Sequence, residues 1–188
     1  MLVLGTGLFL SFSAQAFLFA PPEDLEVEVP AMPQHEWLPP EEGPVLLTIP
    51  AIDVDAPITH TGITRRGTMA VPASYRDVGW YRYGTPPGSR GSAVVAGHLD
   101  NGASLPAVFN RLSELRPGDE ILVDTAEGER IHFVVEDART YPFREVPTEL
   151  VFGRSDAARL NLVTCSGEWL SEEETYSERL VVYAVRAA

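Results

Sequence analysis

Lysine is absent from this 188-residue chain: all 14 basic residues are arginines, set against 27 acidic ones for a formal net charge of −13. A chain so poor in cations lacks the surface that displaces counterions from a phosphate backbone, which excludes nucleic acid as a partner. Cysteine is nearly absent too. The single thiol, Cys165, rules out an intramolecular disulfide and any zinc site built from several cysteines. It is either a small buried hydrophobe or a nucleophile. Charge is missing altogether from residues 1–22, and no arginine precedes Arg65, so flanking positive charge gives that stretch no orientation. No internal repeat is found, and the lack of lysine is read first as base-composition bias.

What is present divides the chain into three. Apolar residues make up 45% of it, enough for a core. Residues 2–20, LVLGTGLFLSFSAQAFLFA, are about long enough to cross the hydrocarbon core of a bilayer. Ala14-Gln15-Ala16 is similar to a signal-peptide cleavage site, but the apolar run continues through Phe17-Leu18-Phe19. Residues 1–20 are therefore expected to be a retained membrane anchor, with a cleaved signal as the alternative. Under either reading the rest of the chain is exported. Residues 21–44 hold seven of the 16 prolines and seven acids with no basic residue. Such a stretch buries too little apolar area to offset chain entropy and reads as an extended spacer. Residues 45–188 form the folded domain.

In that domain the pattern is β. Short apolar runs occupy residues 45–49 and 52–58, stopped by Pro50 and Pro57. Residues 93–96 are continuously apolar, the mark of a strand covered on both faces. Arg116-Pro117-Gly118-Asp119 is a turn before 121–123, and Glu127-Gly128 turns into 130–136, where Ile131, Phe133 and Val135 alternate with His132 and Val134. Residues 160–165 and 180–185 are the last two strands. Residues 106–115 read as the one helical stretch. The expected fold class is all-β, a closed barrel or a sandwich.

Four histidines are candidate partners for Cys165. His35 lies in the spacer; His60 and His132 read as ordinary surface residues. His98 ends the buried run at 93–97 and opens the loop Leu99-Asp100-Asn101-Gly102, where a scaffold presents catalytic groups. Cys165 ends residues 160–164 in the same way, just before Ser166-Gly167. A free thiol with a pKa of about 8.5 is only a few per cent ionised at neutral pH, so it needs a base or a nearby cation. His98 can supply the first. Arg179, expected at the start of the last strand, can supply the second and can donate to an oxyanion.

These residues resemble the sortase family. Asn161-Leu162-Val163-Thr164-Cys165 is similar to its T-L-x-T-C signature, with Asn161 in the first place. Ala96-Gly97-His98 lies 67 residues upstream and resembles the catalytic histidine segment, and Arg179 resembles the catalytic arginine. Residues 49–58, IPAIDVDAPI, are similar to the first strands of the family. Gly79-Trp80-Tyr81, Gly97-His98-Leu99-Asp100, Ala107-Val108-Phe109 and Leu115-Arg116-Pro117-Gly118-Asp119 look most like the class E and class F branches. The likeness covers about residues 45–186.

The resemblance implies an eight-stranded β-barrel with one or two short helices and a cysteine transpeptidase activity. Cys165 would attack the Thr carbonyl of an LPxTG-like sorting signal, Arg179 would hold the oxyanion and His98 would protonate the leaving amine. The acyl group would pass to an amine such as a peptidoglycan precursor, or to water. Thr164 would help bind substrate, and the loop at 138–159, with Val151 and Phe152, would shape the pocket. No second apolar segment follows the domain and no lid is recognised, which favours an attachment enzyme over a pilus-polymerising one.

Asp100 reads as a solvated turn acid, and Glu172-Glu173-Glu174 with Glu178 as a solvated acidic loop, so no metal and no cofactor is expected. The expected location is the membrane, with the domain outside the cytoplasm as a monomer. The competing readings are an exported wall enzyme of the L,D-transpeptidase kind and an inactive anchored binding module.

Overall fold

The structure, a computed structural model, describes residues 43–65, 67–102 and 105–188. The apolar segment at 1–20 and all but the last two residues of the 21–44 spacer lie outside the described residues. Among the described residues no helix is long and apolar enough to cross a membrane.

Alternation at period two builds most of the strands. In β2 (Val54–Thr61), Val54, Ala56 and Ile58 turn inward while Asp55, Pro57 and Thr59 stay exposed. In β6 (Arg130–Pro142) the inward set is Ile131, Phe133 and Val135. With β1 (Pro44–Ile49), β3 (Val78–Tyr81), β4 (Gly91–Ala96), β5 (Glu120–Thr125), β7 (Ala158–Leu170) and β8 (Thr175–Arg186) they close a barrel in the order β1-β2-β3-β4-β7-β8-β6-β5. Two pairings, β2 with β3 and β4 with β7, are parallel; the others are antiparallel. Leu47, Ile49, Trp80, Phe109, Phe133, Leu160, Leu162 and Val182 fill the interior.

Two expectations are corrected. Pro57 does not stop its strand: it stands opposite Leu46 at the end of the β1–β2 ladder, and pairing with β3 starts only at Ile58, so its missing N–H costs little there. Residues 106–115 form turns and a short 3₁₀ segment, Leu112–Glu114, rather than an α-helix. Phe109, Leu112 and Leu115 are all buried at a spacing of three, which a 3₁₀ turn puts on one face. Among the described residues the one α-helix, α1 (Thr148–Phe152), lies instead within the expected pocket loop. The eighth strand is the brief Val78–Tyr81, whose residues are buried on both sides and carry no alternation to announce it.

A second apolar cluster lies on the outside of the barrel. Every residue of β4 is buried because Ala93 and Val95 face the interior while Val94 faces outward against Val151, Val181, Tyr81 and Tyr183. Met69, Leu150, Phe152 and Val163 pack against this cluster half-exposed. The segment carrying α1 thus covers the outer face of strands β4, β7 and β8, up to the level at which β4 ends.

Candidate active site

Strand pairing assembles the site. In β7, Leu160 and Leu162 face the interior, so Asn161, Val163 and Cys165 face out. Cys165 stands directly opposite Arg179 in the β7–β8 ladder. Facing residues of an antiparallel pair have Cα atoms about 4.5–5.5 Å apart and side chains on the same side. On the other flank β4 runs parallel to β7 with Ala96 level with Val163. The Gly97 amide donates to the Val163 carbonyl at 3.1 Å, and Thr164 Oγ1 donates to the Gly97 carbonyl at 2.9 Å. The β4–β7 ladder ends at Ala96, so His98, two residues on, stands on the loop that leaves β4 at the end of the sheet toward which β7 carries Cys165. Strands β7 and β8 and the loop that follows β4 thus bring cysteine, arginine and histidine to one end of the sheet, at the edge of the second apolar cluster.

The strand boundaries differ from expectation in a way that matters here. Cys165 does not end its strand, and Arg179 does not begin the next. Both lie inside a long hairpin whose register shifts between Ser166 and Trp169. Gly167 sits in that shift at φ +81°, and a Cβ there would meet Ser177 Oγ. The irregularity bends the strand just past the thiol.

Each member of the row is held. His98 Nε2 lies 2.8 Å from the Pro72 carbonyl. A carbonyl only accepts, so this nitrogen carries the proton and the other is left as the basic one. The ring leans on Tyr75, centroids 4.9 Å apart. Arg179 donates to the carbonyls of Tyr176 (3.0 Å) and Glu178 (2.7 Å) and to Thr175 Oγ1 (2.7 Å), with its guanidinium over the Phe143 ring. All of these partners are neutral, so its charge is left to act on its surroundings.

Cys165 is half-buried. Burial pushes its thiol up, the Arg179 charge pulls it back down, and Asp100 adds to the rise. The net direction is upward, so the resting nucleophile is a thiol rather than a preformed thiolate.

The remaining expected residues fall differently. Thr164 is 3% exposed and faces inward, where its hydroxyl ties β7 to the histidine segment. Val151 is fully buried. Neither has surface to offer a peptide, which corrects the direct contacts expected of them. Phe152 keeps a half-exposed edge and meets Tyr81 edge-on at 5.6 Å. Asp100 is not a solvated turn acid: its carboxylate accepts from the Tyr176 hydroxyl and from the Gly102 amide. His60 is not an ordinary surface residue: it lies half-buried within β2 against Trp80. Glu172, Glu173 and Glu174 occupy the exposed tip of the β7–β8 hairpin, with Glu173 paired to Arg144.

Sequence reasoning missed Tyr176, Tyr75, Pro72 and the anchoring role of Asn161. The fully buried Asn161 donates to the Val151 carbonyl at 2.5 Å and pins α1 to β7. Only its place in the signature hinted at this.

A family model described as the sortase domain matches residues 47–187. No curated protein matches the chain. Among solved structures, sortase A from Corynebacterium diphtheriae is similar at 22% identity and TM-score 0.60, over 78% of this chain and 62% of that one. Sortase C-1 from Actinomyces oris is similar at 25% identity and TM-score 0.59, over 77% and 73%. Sortase C1 from Streptococcus agalactiae is similar at 20% identity and TM-score 0.59, over 77% and 67%. The chain therefore spans less than two thirds of the Corynebacterium protein's length.

Proposed function

The chain belongs to the sortase family, and from that premise we propose that it is a cysteine transpeptidase acting on LPxTG-like sorting signals of exported proteins. Cys165 Sγ attacks the Thr carbonyl carbon while its proton passes to His98. The oxyanion that forms is stabilised by the Arg179 guanidinium. The C–N bond after Thr then breaks, and the departing amine takes the proton from His98, leaving a thioester on Cys165. An amine acceptor such as a peptidoglycan precursor attacks that thioester, gives its proton to His98 and restores the thiol; water in its place gives hydrolysis. The motifs at 97–100 and 115–119 support placement near classes E and F.

The observation that carries this reading is the row itself: Cys165 faces Arg179 in register, the Gly97 segment leading into His98 is bonded to β7 on the other side, and among the described residues Arg179 is bonded only to neutral oxygens. A structural thiol has no use for a cation held free of carboxylates beside it. The half-exposed apolar edge of Met69, Leu150, Phe152 and Val163 next to the row suits the Leu-Pro end of the signal. Thr164, Val151 and Asn161 support this surface from behind.

The test uses the full chain in detergent with a library of LPxTG-type peptides and an amine acceptor, followed by mass spectrometry of protein and peptides. The expected result is a thioacyl adduct on Cys165 and cleavage after Thr, both lost in Cys165→Ala. Folded protein that forms no adduct with LPxTG-like or LAxTG-like peptides would overturn the sorting-signal assignment.

A further inference from the structure

The loop that follows β4 is tied to itself by the main chain. The Phe109 amide donates to the His98 carbonyl at 2.9 Å, the Ala107 amide to Leu99 at 3.0 Å, and Asp100 pairs with Pro106 across the loop. One carboxylate oxygen of Asp100 is used internally, accepting from the Gly102 amide at 2.9 Å. The other reaches out of the loop and accepts from the hydroxyl of Tyr176, near the start of β8.

Tyr176 is tied in three directions. Its carbonyl accepts from Arg179, its ring packs edge-on against Trp169 at 5.4 Å, and its hydroxyl holds the histidine loop. Trp169 belongs to the stretch of β7 just past Cys165 and the register shift. The Tyr176 side chain therefore touches the continuation of the cysteine strand and the segment that carries the histidine, while its main-chain carbonyl holds the arginine.

We propose that Asp100 and Tyr176 are positioning residues whose shared hydrogen bond clasps the histidine loop to the arginine strand across Cys165. The inference rests on the transpeptidase reading above and adds two residues to it. Through the clasp, the spacing of His98 from Arg179 on either side of the thiol is set by a contact between residues 76 apart in sequence. The β4–β7 ladder ends at Ala96, and past the two bonds of Gly97 to β7 the clasp ties the loop to the β7–β8 hairpin.

The clasp also places a negative charge within electrostatic range of the nucleophile, with the phenol as its partner. Among the described residues the other charged group that acts on the thiol is Arg179 of β8, directly opposite it; Glu178 is next along that strand, opposite Ser166.

The experiment compares the full chain with Tyr176→Phe, Asp100→Asn and the double variant. Phenylalanine keeps the ring against Trp169, and asparagine keeps the shape of the carboxylate. Melting temperatures close to the parent's therefore separate a lost clasp from a lost fold. With a cleaved sorting peptide, Tyr176→Phe is expected to lower kcat about tenfold and Asp100→Asn by less, each with KM within roughly twofold, as misplaced catalytic groups do. The double variant should be no worse than Tyr176→Phe alone, because that change removes the bond that Asp100→Asn only weakens from charge-assisted to neutral.

Alkylation of Cys165 by iodoacetamide against pH supplies a readout that needs no substrate. Asp100→Asn removes an opposing charge and should shift the profile toward lower pH; Tyr176→Phe should not. Losses that multiply in the double variant, parent-like kinetics in all three, or an alkylation profile unmoved by Asp100→Asn would each overturn the clasp. A parent chain that cleaves no sorting peptide overturns the proposed function instead, and the alkylation arm still decides the clasp.

Discussion

At the scale of single residues, the nucleophile sits under opposed influences. Burial raises the Cys165 thiol and Arg179 draws it down, so a change at Arg179 acts on ionisation as well as on oxyanion binding. Arg179→Ala leaves burial unopposed: the thiol moves further up and the thiolate fraction at pH 7 falls. Iodoacetamide alkylation at pH 7 should slow roughly three- to tenfold. Its rate should still climb with pH, through a range above the ordinary thiol value of about 8.5. Arg179→Lys should restore most of the alkylation rate, which needs only the charge. It should restore much less of the peptide cleavage, which Arg179→Ala should lower by about 10²–10³-fold, the scale set by loss of an oxyanion donor. Equal alkylation rates in parent and Arg179→Ala would show that the cation does not act on the thiol.

At the scale of elements, the site depends on how tightly β4 and its loop are packed. Gly97 separates the last residue of β4 from His98, and a Cβ there would meet the Phe109 ring at 2.5 Å. Phe109 is fully buried in the barrel interior and cannot swing away. Gly97→Ala should therefore destabilise the domain by about 1–3 kcal/mol through overpacking, measured as a lower urea midpoint at unchanged slope. It should also lower cleavage below what the loss of folded protein explains, because the same shift moves His98. A variant with parent stability would show that Phe109 repacks freely. The hairpin of β7 and β8 carries the complementary lesson. Its ladder runs past the site on both sides, so the cysteine and arginine are held as a facing pair inside regular structure and only the histidine stands on a loop.

At the scale of the whole molecule, the apolar residues 2–20 and the proline- and acid-rich spacer that follows precede a barrel that starts at Pro44. We propose that the first segment anchors the chain in a membrane and the spacer carries the domain away from it, outside the cytoplasm. The full chain should stay with the membrane pellet after carbonate extraction, and a chain starting at Gly43 should appear in the supernatant. Recovery of both in the supernatant would remove the anchor. Removing the spacer's seven acids leaves the domain with 20 acids and 14 arginines, a net of −6. Many of those arginines are engaged in ion pairs, such as the buried Arg159 with Asp156 and Glu136. The Asp156 carboxyl is accordingly held well below the usual range, by Arg159 first and Arg154 second. Arg179 stands apart from these pairings.

Much of the barrel was legible in the sequence because period-two alternation and turn residues are local signals. The inward face of β6 and the doubly covered β4 follow from the pattern of a few neighbouring residues. The three residue types of the candidate site were legible as a motif likeness as well. The adjacency of His98, Cys165 and Arg179 was settled only by the order β4-β7-β8, in which a parallel pairing joins strands 67 residues apart. Tertiary structure also turned Thr164 inward, buried Val151, folded residues 106–115 as 3₁₀ and loop, and set Tyr176 against Asp100. Those outcomes depend on register and on what packs across a gap, and no local pattern encodes a distance between segments that meet only when the barrel closes.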